Sequence, residues 1–227
     1  MLFIIAGVLL LLLIFLPNLW VKYVLKKHHK NLPNMPGTGS ELAIHLLKQY
    51  QLEHVLVEQT DPNSDHYSPA DNAVRLSPDV FHGKSLTAVA VAAHEVGHAI
   101  QFNREEPVSL LRSRYLGSVH RIQKIGVMLL MTMPFISAVL HLPQISVFLL
   151  VIGLITMFSS VLLYAAVLPE EWDASFNKAL PILEKGEYVP STYIPAIRQI
   201  LTACALTYVA AALADTLRLW RWLRFIR

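Results

Sequence analysis

The chain has 227 residues, of which 54% are hydrophobic and only 15% are charged, and its formal net charge is +3. Soluble domains carry about 25% charged residues, so this composition favours an integral membrane protein. The single cysteine excludes an internal disulfide bond and a thiolate-rich zinc site. The sequence lacks a basic and aromatic RNA-binding motif, and we therefore expect no nucleic-acid partner.

The first predicted element is an N-terminal membrane anchor over 1–21. Its apolar run, "LFIIAGVLLLLLIFLPNLW", is long enough to cross a bilayer. The run has no basic segment before it and no small-residue cleavage site after it, so we expect it to stay uncleaved. Four lysines follow at once: Lys22, Lys26, Lys27 and Lys30. Because positive residues stay on the cytoplasmic side, we expect segment 22–124 in the cytoplasm.

This cytoplasmic segment is expected to form a catalytic unit of helices with a small β element. Ser40 precedes an amphipathic stretch and predicts a capped helix over about 41–51. Extended pieces are predicted at 54–59 and on both sides of the turn "PADN", residues 69–72. A helix over about 85–103 is rich in Ala and Val, which indicates that it is largely buried.

Two further apolar runs, separated only by "HLPQ", predict a transmembrane hairpin over 125–167. The hairpin would return the polar segment 168–198 to the cytoplasmic side. A weaker run near 199–214 predicts a fourth transmembrane helix, followed by a basic tail, within 199–227; the alternative is a re-entrant or interfacial helix on the cytoplasmic face. We expect all these segments to belong to one domain.

The stretch "HEVGH", residues 94–98, carries the strongest chemical signal. On a helix, His94 and His98 lie on one face and can bind the same cation, while Glu95 can reach a water on that cation. This is the H-E-x-x-H pattern of zinc-dependent peptide hydrolysis, in which the glutamate takes the proton of a zinc-activated water. Gly97 is costly in a helix, so we expect a close neighbour beside it, such as a packed strand or a substrate.

A catalytic zinc ion usually takes a third protein ligand. The segment "LPEEWDASFNKAL" offers Glu170, Glu171 and Asp173, and the predicted hairpin brings this segment to the same side of the membrane as the histidines. The residues alone leave the choice among these three acids open.

The block "DHYSPADNAVRLSPDVFHGKSLTAVAVAAHEVGHAIQ", followed by "LPEEWDAS", resembles the YugP-type membrane zinc metallopeptidases of bacteria, and more distantly the gluzincins. The resemblance covers most of the chain. It implies His94 and His98 as metal ligands, Glu95 as general base and Glu171 as third ligand. Glu170 occupies a position that is apolar in the family pattern, so it stays the alternative third ligand. Asp173 is expected either to hold a ligand histidine or to cap a helix.

The predicted fold is therefore a mainly α integral membrane protein with a cytoplasmic, zincin-like α+β catalytic unit. The predicted function is a membrane-embedded zinc endopeptidase with one Zn²⁺ per chain and Glu95 as general base. Its partners would be the lipid bilayer of the bacterial inner membrane and a protein or peptide substrate, held in extended form near 65–77. The alternative is a membrane scaffold or assembly factor with a structural metal, which would have no use for Glu95.

Overall fold

The computed structural model describes the backbone of residues 2–109 and 166–223, the side chains of 15–109 and 166–210, and isolated residues between 121 and 155. The chain divides into two compact units. One comprises Met1–Asn18, Leu111–Leu168 and Tyr208–Arg227, and the other, which we call the site unit, comprises Leu19–Leu110 and Pro169–Thr207. The site unit contains every predicted site residue, and the domain boundaries drawn from the sequence stay a prediction.

The described part of the chain is mainly helical. Its α-helices are α1 (Leu2–Lys27), α2 (Gly39–Gln49), α3 (Pro78–Phe81), α4 (Leu86–Asn103), α5 (Leu180–Lys185) and α6 (Ile194–Leu223). Residues 166–172 are also α-helical and lead directly into a π-helix over Asp173–Ala179. A 3₁₀ turn at Ser191–Tyr193 precedes α6.

Helix α2 begins earlier than the sequence predicted. Thr38 is its N-cap, and it forms a capping box with Glu41, whose carboxylate accepts the Thr38 backbone N–H at 2.7 Å. The prediction that Ser40 caps this helix is wrong, because Ser40 already lies in the first turn. Its hydroxyl donates instead to the carbonyl oxygen of Phe81 at 2.8 Å, which ties α2 to α3.

A three-stranded sheet confirms the predicted extended pieces. Its strands are β1 (Leu56–Gln59), β2 (His66–Ser68) and β3 (Ala73–Leu76). The order is β1-β3-β2, with β1 parallel and β2 antiparallel to the central β3. Strand β3 buries Ala73, Val74 and Leu76 completely, whereas β1 and β2 form the two edges of this sheet.

Helix α4 is the central element of the site unit. The Ser85 side chain caps it by accepting the backbone N–H of Ala88 at 3.0 Å, which agrees with the helix predicted over 85–103. Every residue from Leu86 to Gln101 is buried. The small Ala and Val side chains let neighbouring elements approach the α4 backbone on several sides, including α2, the sheet and the π-helix.

The expected fold class, an integral membrane protein with several transmembrane helices, is wrong for the part of the chain that the structure describes. Among the described residues, no helix is long and apolar enough to cross a membrane. Where α6 covers the run expected to span near 199–214, it packs Ile200 and Leu201 inside the site unit. The side chains of 2–14, and the hairpin predicted at 125–167 apart from isolated positions, lie outside the described residues.

Candidate metal centre

Two buried histidines on α4 form one side of the candidate site. His94 and His98 lie one helical turn apart and are only 4% and 3% exposed. Their ring centroids are 4.7 Å apart and the ring planes are nearly perpendicular, at 80°. The i, i+4 spacing therefore places both imidazoles on the same face of the helix, as the sequence predicts.

Glu171 completes a group of three. Its Oε2 atom lies 3.3 Å from Nε2 of His94 and 3.2 Å from Nε2 of His98, and its side chain is 1% exposed. One ligand atom from each of these residues lies within 4.8 Å of the others, which is a geometry that can hold one metal ion. Glu170 is equally buried, but its Oε1 atom lies 3.6 Å from Nδ1 of His98, on the other side of that ring.

The π-helix allows the segment after Glu171 to pack closely on α4. Its wider winding is seen where the backbone N–H of Leu180 donates to the carbonyl oxygen of Ser175, five residues earlier. A Cβ atom built at Gly97 would lie only 2.8 Å from the carbonyl oxygen of Ala174. The close neighbour expected beside Gly97 therefore exists, and it is the π-helix rather than a strand or a substrate.

A serine hydroxyl orients His94. The Ser175 hydroxyl donates to the carbonyl oxygen of Leu201 at 3.1 Å, so its oxygen is left to accept the Nδ1–H of His94, also at 3.1 Å. With its Nδ1 held by Ser175, the ring turns its Nε2 atom toward Glu171. The residue that positions this ring comes from the π-helix.

An amide orients His98. Oε1 of Gln101 lies 2.9 Å from Nδ1 of His98, and the Gln101 NH₂ group donates to the backbone carbonyl of Glu170 at 3.0 Å and to Asp173 at 2.8 Å. Asp173 therefore reaches a predicted ligand only through Gln101. It is the first residue of the π-helix, and Trp172 occupies the cap position.

The electrostatics of the group favour a cation. Burial alone raises the pKa of the Glu171 carboxyl, but the charges and hydrogen bonds of His98 and His94 outweigh burial and hold the pKa well below its usual value. The Nε2 atoms of both histidines and the Glu171 carboxylate thus converge in a buried space, where a bound cation would take the place of the hydrogen bonds between them. A single metal ion satisfies all three, and a donor set of two nitrogens and one oxygen suits zinc.

Cys204, the single cysteine, lies on α6 and is buried. Burial, followed by the negative charges of Glu95 and Glu171, raises the pKa of its thiol well above the usual value. The thiol is therefore neutral. Among the described residues, the group of side chains that could hold a metal ion consists of His94, His98 and Glu171 and does not include Cys204.

The whole length of the chain matches a known family. Residues 2–227 match the family model described as "Putative neutral zinc metallopeptidase". The chain belongs to this family. It is also 31% identical over 223 residues to "Putative membrane protease YugP" of Bacillus subtilis (strain 168), which covers 98% of this chain and 95% of that protein. No solved structure matches the chain. The resemblance noted in the sequence is thus confirmed, and the family description names zinc.

Two residues that contact the candidate ligands, Gln101 and Ser175, were not predicted from the sequence. Gln101 follows His98 by three residues, so helical spacing alone would have placed it on the same face. Ser175 follows Glu171 by four residues and would have been found in the same way once that segment was taken as helical. Both signals are weak, because a Gln or Ser at such spacing is common on any helix.

Proposed function

We propose that this protein is a zinc-dependent endopeptidase with one zinc ion per chain. Nε2 of His94, Nε2 of His98 and the carboxylate of Glu171 would hold the ion. The observation that carries the proposal is the convergence of these three buried groups, from two distant parts of the chain, on one point. Bound zinc supplies a Lewis acid that lowers the pKa of water toward about 7 and polarises a peptide carbonyl.

Glu95 is the general base of the proposed reaction. Glu95 follows His94 directly on α4. Its carboxylate therefore lies next to the face that carries the two histidines, but it points in a different direction around the helix axis. This carboxylate accepts the proton of the attacking water and returns it to the nitrogen of the leaving amine. His94 and His98 keep their Nδ1 protons throughout, since those protons are donated to Ser175 and Gln101.

The proposed substrate is a peptide in extended conformation. Strand β2 is an edge of the sheet order β1-β3-β2 and packs near the C-terminal end of α4, where the rings of Tyr67 and Phe102 lie 5.6 Å apart. An added strand would pair its backbone with the edge of β2 that does not face β3. This proposal keeps the region 65–77 that the sequence suggested for substrate binding.

We place this activity at the cytoplasmic face of a bacterial membrane. Two observations support the location: the similar Bacillus subtilis protein is described as a membrane protease, and four lysines lie within residues 22–30. Lysine clusters are attracted to anionic lipid headgroups. Fractionation of cells that make the full chain tests this location. Recovery of all the protein in the soluble fraction would contradict it.

Glu95→Gln tests the enzymatic function most directly. The change keeps the shape of the side chain but removes the base, so zinc content should stay at one per chain while hydrolysis of a quenched fluorescent peptide library falls by about 10²–10⁴-fold. A scaffold with a structural metal would show no turnover in either protein. If Glu95→Gln hydrolyses the peptides at a rate within a few-fold of the wild-type rate, the mechanism is refuted.

A further inference from the structure

One buried amide connects the two parts of the candidate metal centre. Gln101 is 0% exposed, and its side chain forms hydrogen bonds with His98, the backbone carbonyl of Glu170 and Asp173. His98 lies on α4 with Gln101, whereas Glu170 and Asp173 flank Glu171 in the other segment. The Gln101 side chain thus contacts both His98 and the backbone of the segment that carries Glu171.

The orientation of the Gln101 amide follows from its surroundings. Its NH₂ group faces two acceptors, the carbonyl oxygen of Glu170 at 3.0 Å and the carboxylate of Asp173 at 2.8 Å. A flipped amide would direct its oxygen at both acceptors, which is repulsive. Oε1 therefore faces His98, and Nδ1 of His98 must be the donor across the 2.9 Å contact.

The Asp173 carboxylate that anchors Gln101 is itself held in place. It accepts a hydrogen bond from Asn177 at 2.7 Å and forms an ion pair with Lys178 at 3.1 Å. Lys178 also pairs with Glu106 at 2.9 Å, just beyond the end of α4. The network joins α4 to the π-helix. Both the oxygen and the NH₂ group of the Gln101 amide are therefore held by hydrogen bonds.

We propose that Gln101 is a positioning residue of the metal centre. It keeps the His98 proton on Nδ1, which leaves Nε2 for the metal, and it sets the separation of His98 from Glu171 by holding the carbonyl of residue 170. The inference rests on the proposed function, because it assigns a role toward the same zinc ion. Loss of a hydrogen-bonding partner behind a metal ligand typically lowers metal affinity by about 10–100-fold.

Gln101→Met tests this role, since methionine fills similar space but cannot make the three hydrogen bonds. Asn103→Ala is the matched control: it removes an amide from the same helix whose hydrogen bonds go to Ala99, Tyr67 and His54 and to no predicted ligand. Zinc affinity is measured by competition with a chelator. We expect Gln101→Met to bind zinc about 10–100-fold more weakly, and Asn103→Ala to bind within about threefold of wild type.

A second measurement uses the zinc-free protein. Histidine ring N–H exchange, followed by nitrogen-15 NMR and assigned by its loss in His98→Ala, should show a protected Nδ1–H in wild type and Asn103→Ala but not in Gln101→Met. Thermal unfolding of the zinc-free variants verifies that each is folded. If Gln101→Met does not fold, absence of the protected proton from wild type would still overturn the inference.

The outcomes separate the two proposals. Unchanged zinc affinity in folded Gln101→Met would overturn the inference and leave the proposed function intact. A wild-type protein that shows the protected proton but binds no zinc would overturn the proposed function, and with it any role of Gln101 toward the metal.

Discussion

The backbone of Gly97 lies directly against the backbone of Ala174. A Cβ atom at position 97 would come within 2.8 Å of the Ala174 carbonyl oxygen and 3.3 Å of its Cα atom. Backbone atoms cannot move aside as a flexible side chain can, so this contact sets how closely α4 and the π-helix approach. Because Glu171 lies only two residues before the π-helix, the contact also sets how closely Glu171 approaches the two histidines.

Gly97→Ala should therefore push the π-helix away from α4. Overpacking costs about 1–3 kcal/mol, and the better helix propensity of alanine returns about 1 kcal/mol, so we expect a net loss of up to about 2 kcal/mol in the free energy of unfolding. Zinc affinity should fall as well. Urea unfolding of the zinc-free protein and chelator competition measure the two effects. Gly37→Ala is the control, because a Cβ there meets only the side chain of Glu41.

The two adjacent glutamates should differ in their effect on zinc. Glu171→Gln removes the carboxylate that lies 3.2–3.3 Å from both Nε2 atoms and should abolish stoichiometric zinc binding. Glu170→Gln has the same size and burial but leaves that carboxylate in place, so it should keep one zinc per chain. Elemental analysis of the purified variants measures this. The opposite pattern would make Glu170 the third ligand.

Ser175→Ala should weaken zinc binding without removing a ligand. The change deletes the acceptor for the Nδ1–H of His94, and a freed imidazole can turn or move its proton to Nε2. We expect zinc affinity to fall by about 10–100-fold. Ser77→Ala is the control, because it removes another buried serine hydroxyl, whose hydrogen bond goes to Asp65 at 3.0 Å rather than to a candidate ligand. Equal zinc affinities in the two variants would contradict the role of Ser175.

Acid should remove part of the stability that Asp173 contributes. Burial raises its pKa, but hydrogen bonds from Gln101, Asn177 and Lys178, with the charge of Lys178, lower it below the ordinary 3.8. Because the folded pKa is below the unfolded one, this stability is present above about pH 3.8 and is lost as the pH falls through the folded pKa.

Asp173→Asn is the variant that tests this pH dependence. We expect it to unfold about 1–3 kcal/mol more easily than wild type at pH 7, with a smaller difference at pH 3, as measured by urea unfolding of the zinc-free proteins. Asp61→Asn changes an exposed acid and serves as the control. A difference between Asp173→Asn and wild type that is the same at both pH values would contradict the assigned cause.

Local patterns in the sequence were enough to predict several elements. Hydrophobic content and the capping Ser85 predicted α4, and alternation between turn residues predicted the three strands. The placement of His94 and His98 on one face followed from helical periodicity alone. Such features depend on residues within one or two turns of each other, so no knowledge of the rest of the fold was required.

The apolar runs illustrate where local patterns fail. A buried helix and a membrane helix both consist of apolar residues, and composition does not say whether protein or lipid surrounds them. In α6, Ile200 and Leu201 are buried by the protein itself. The contacts that decide between these surroundings come from elements far away in the sequence.

By itself, the sequence determined the family of the chain, the positions of the two histidines and the presence of a glutamate beside them. Only the tertiary structure decided that Glu171 faces both Nε2 atoms, that Gln101 and Ser175 hold the opposite nitrogens, and that a π-helix lies beside Gly97. These relationships join residues more than seventy positions apart, apart from the Gln101 contact within α4. They depend on how the wider π-helix packs against α4, and helix periodicity does not specify the rotation and separation of two packed helices.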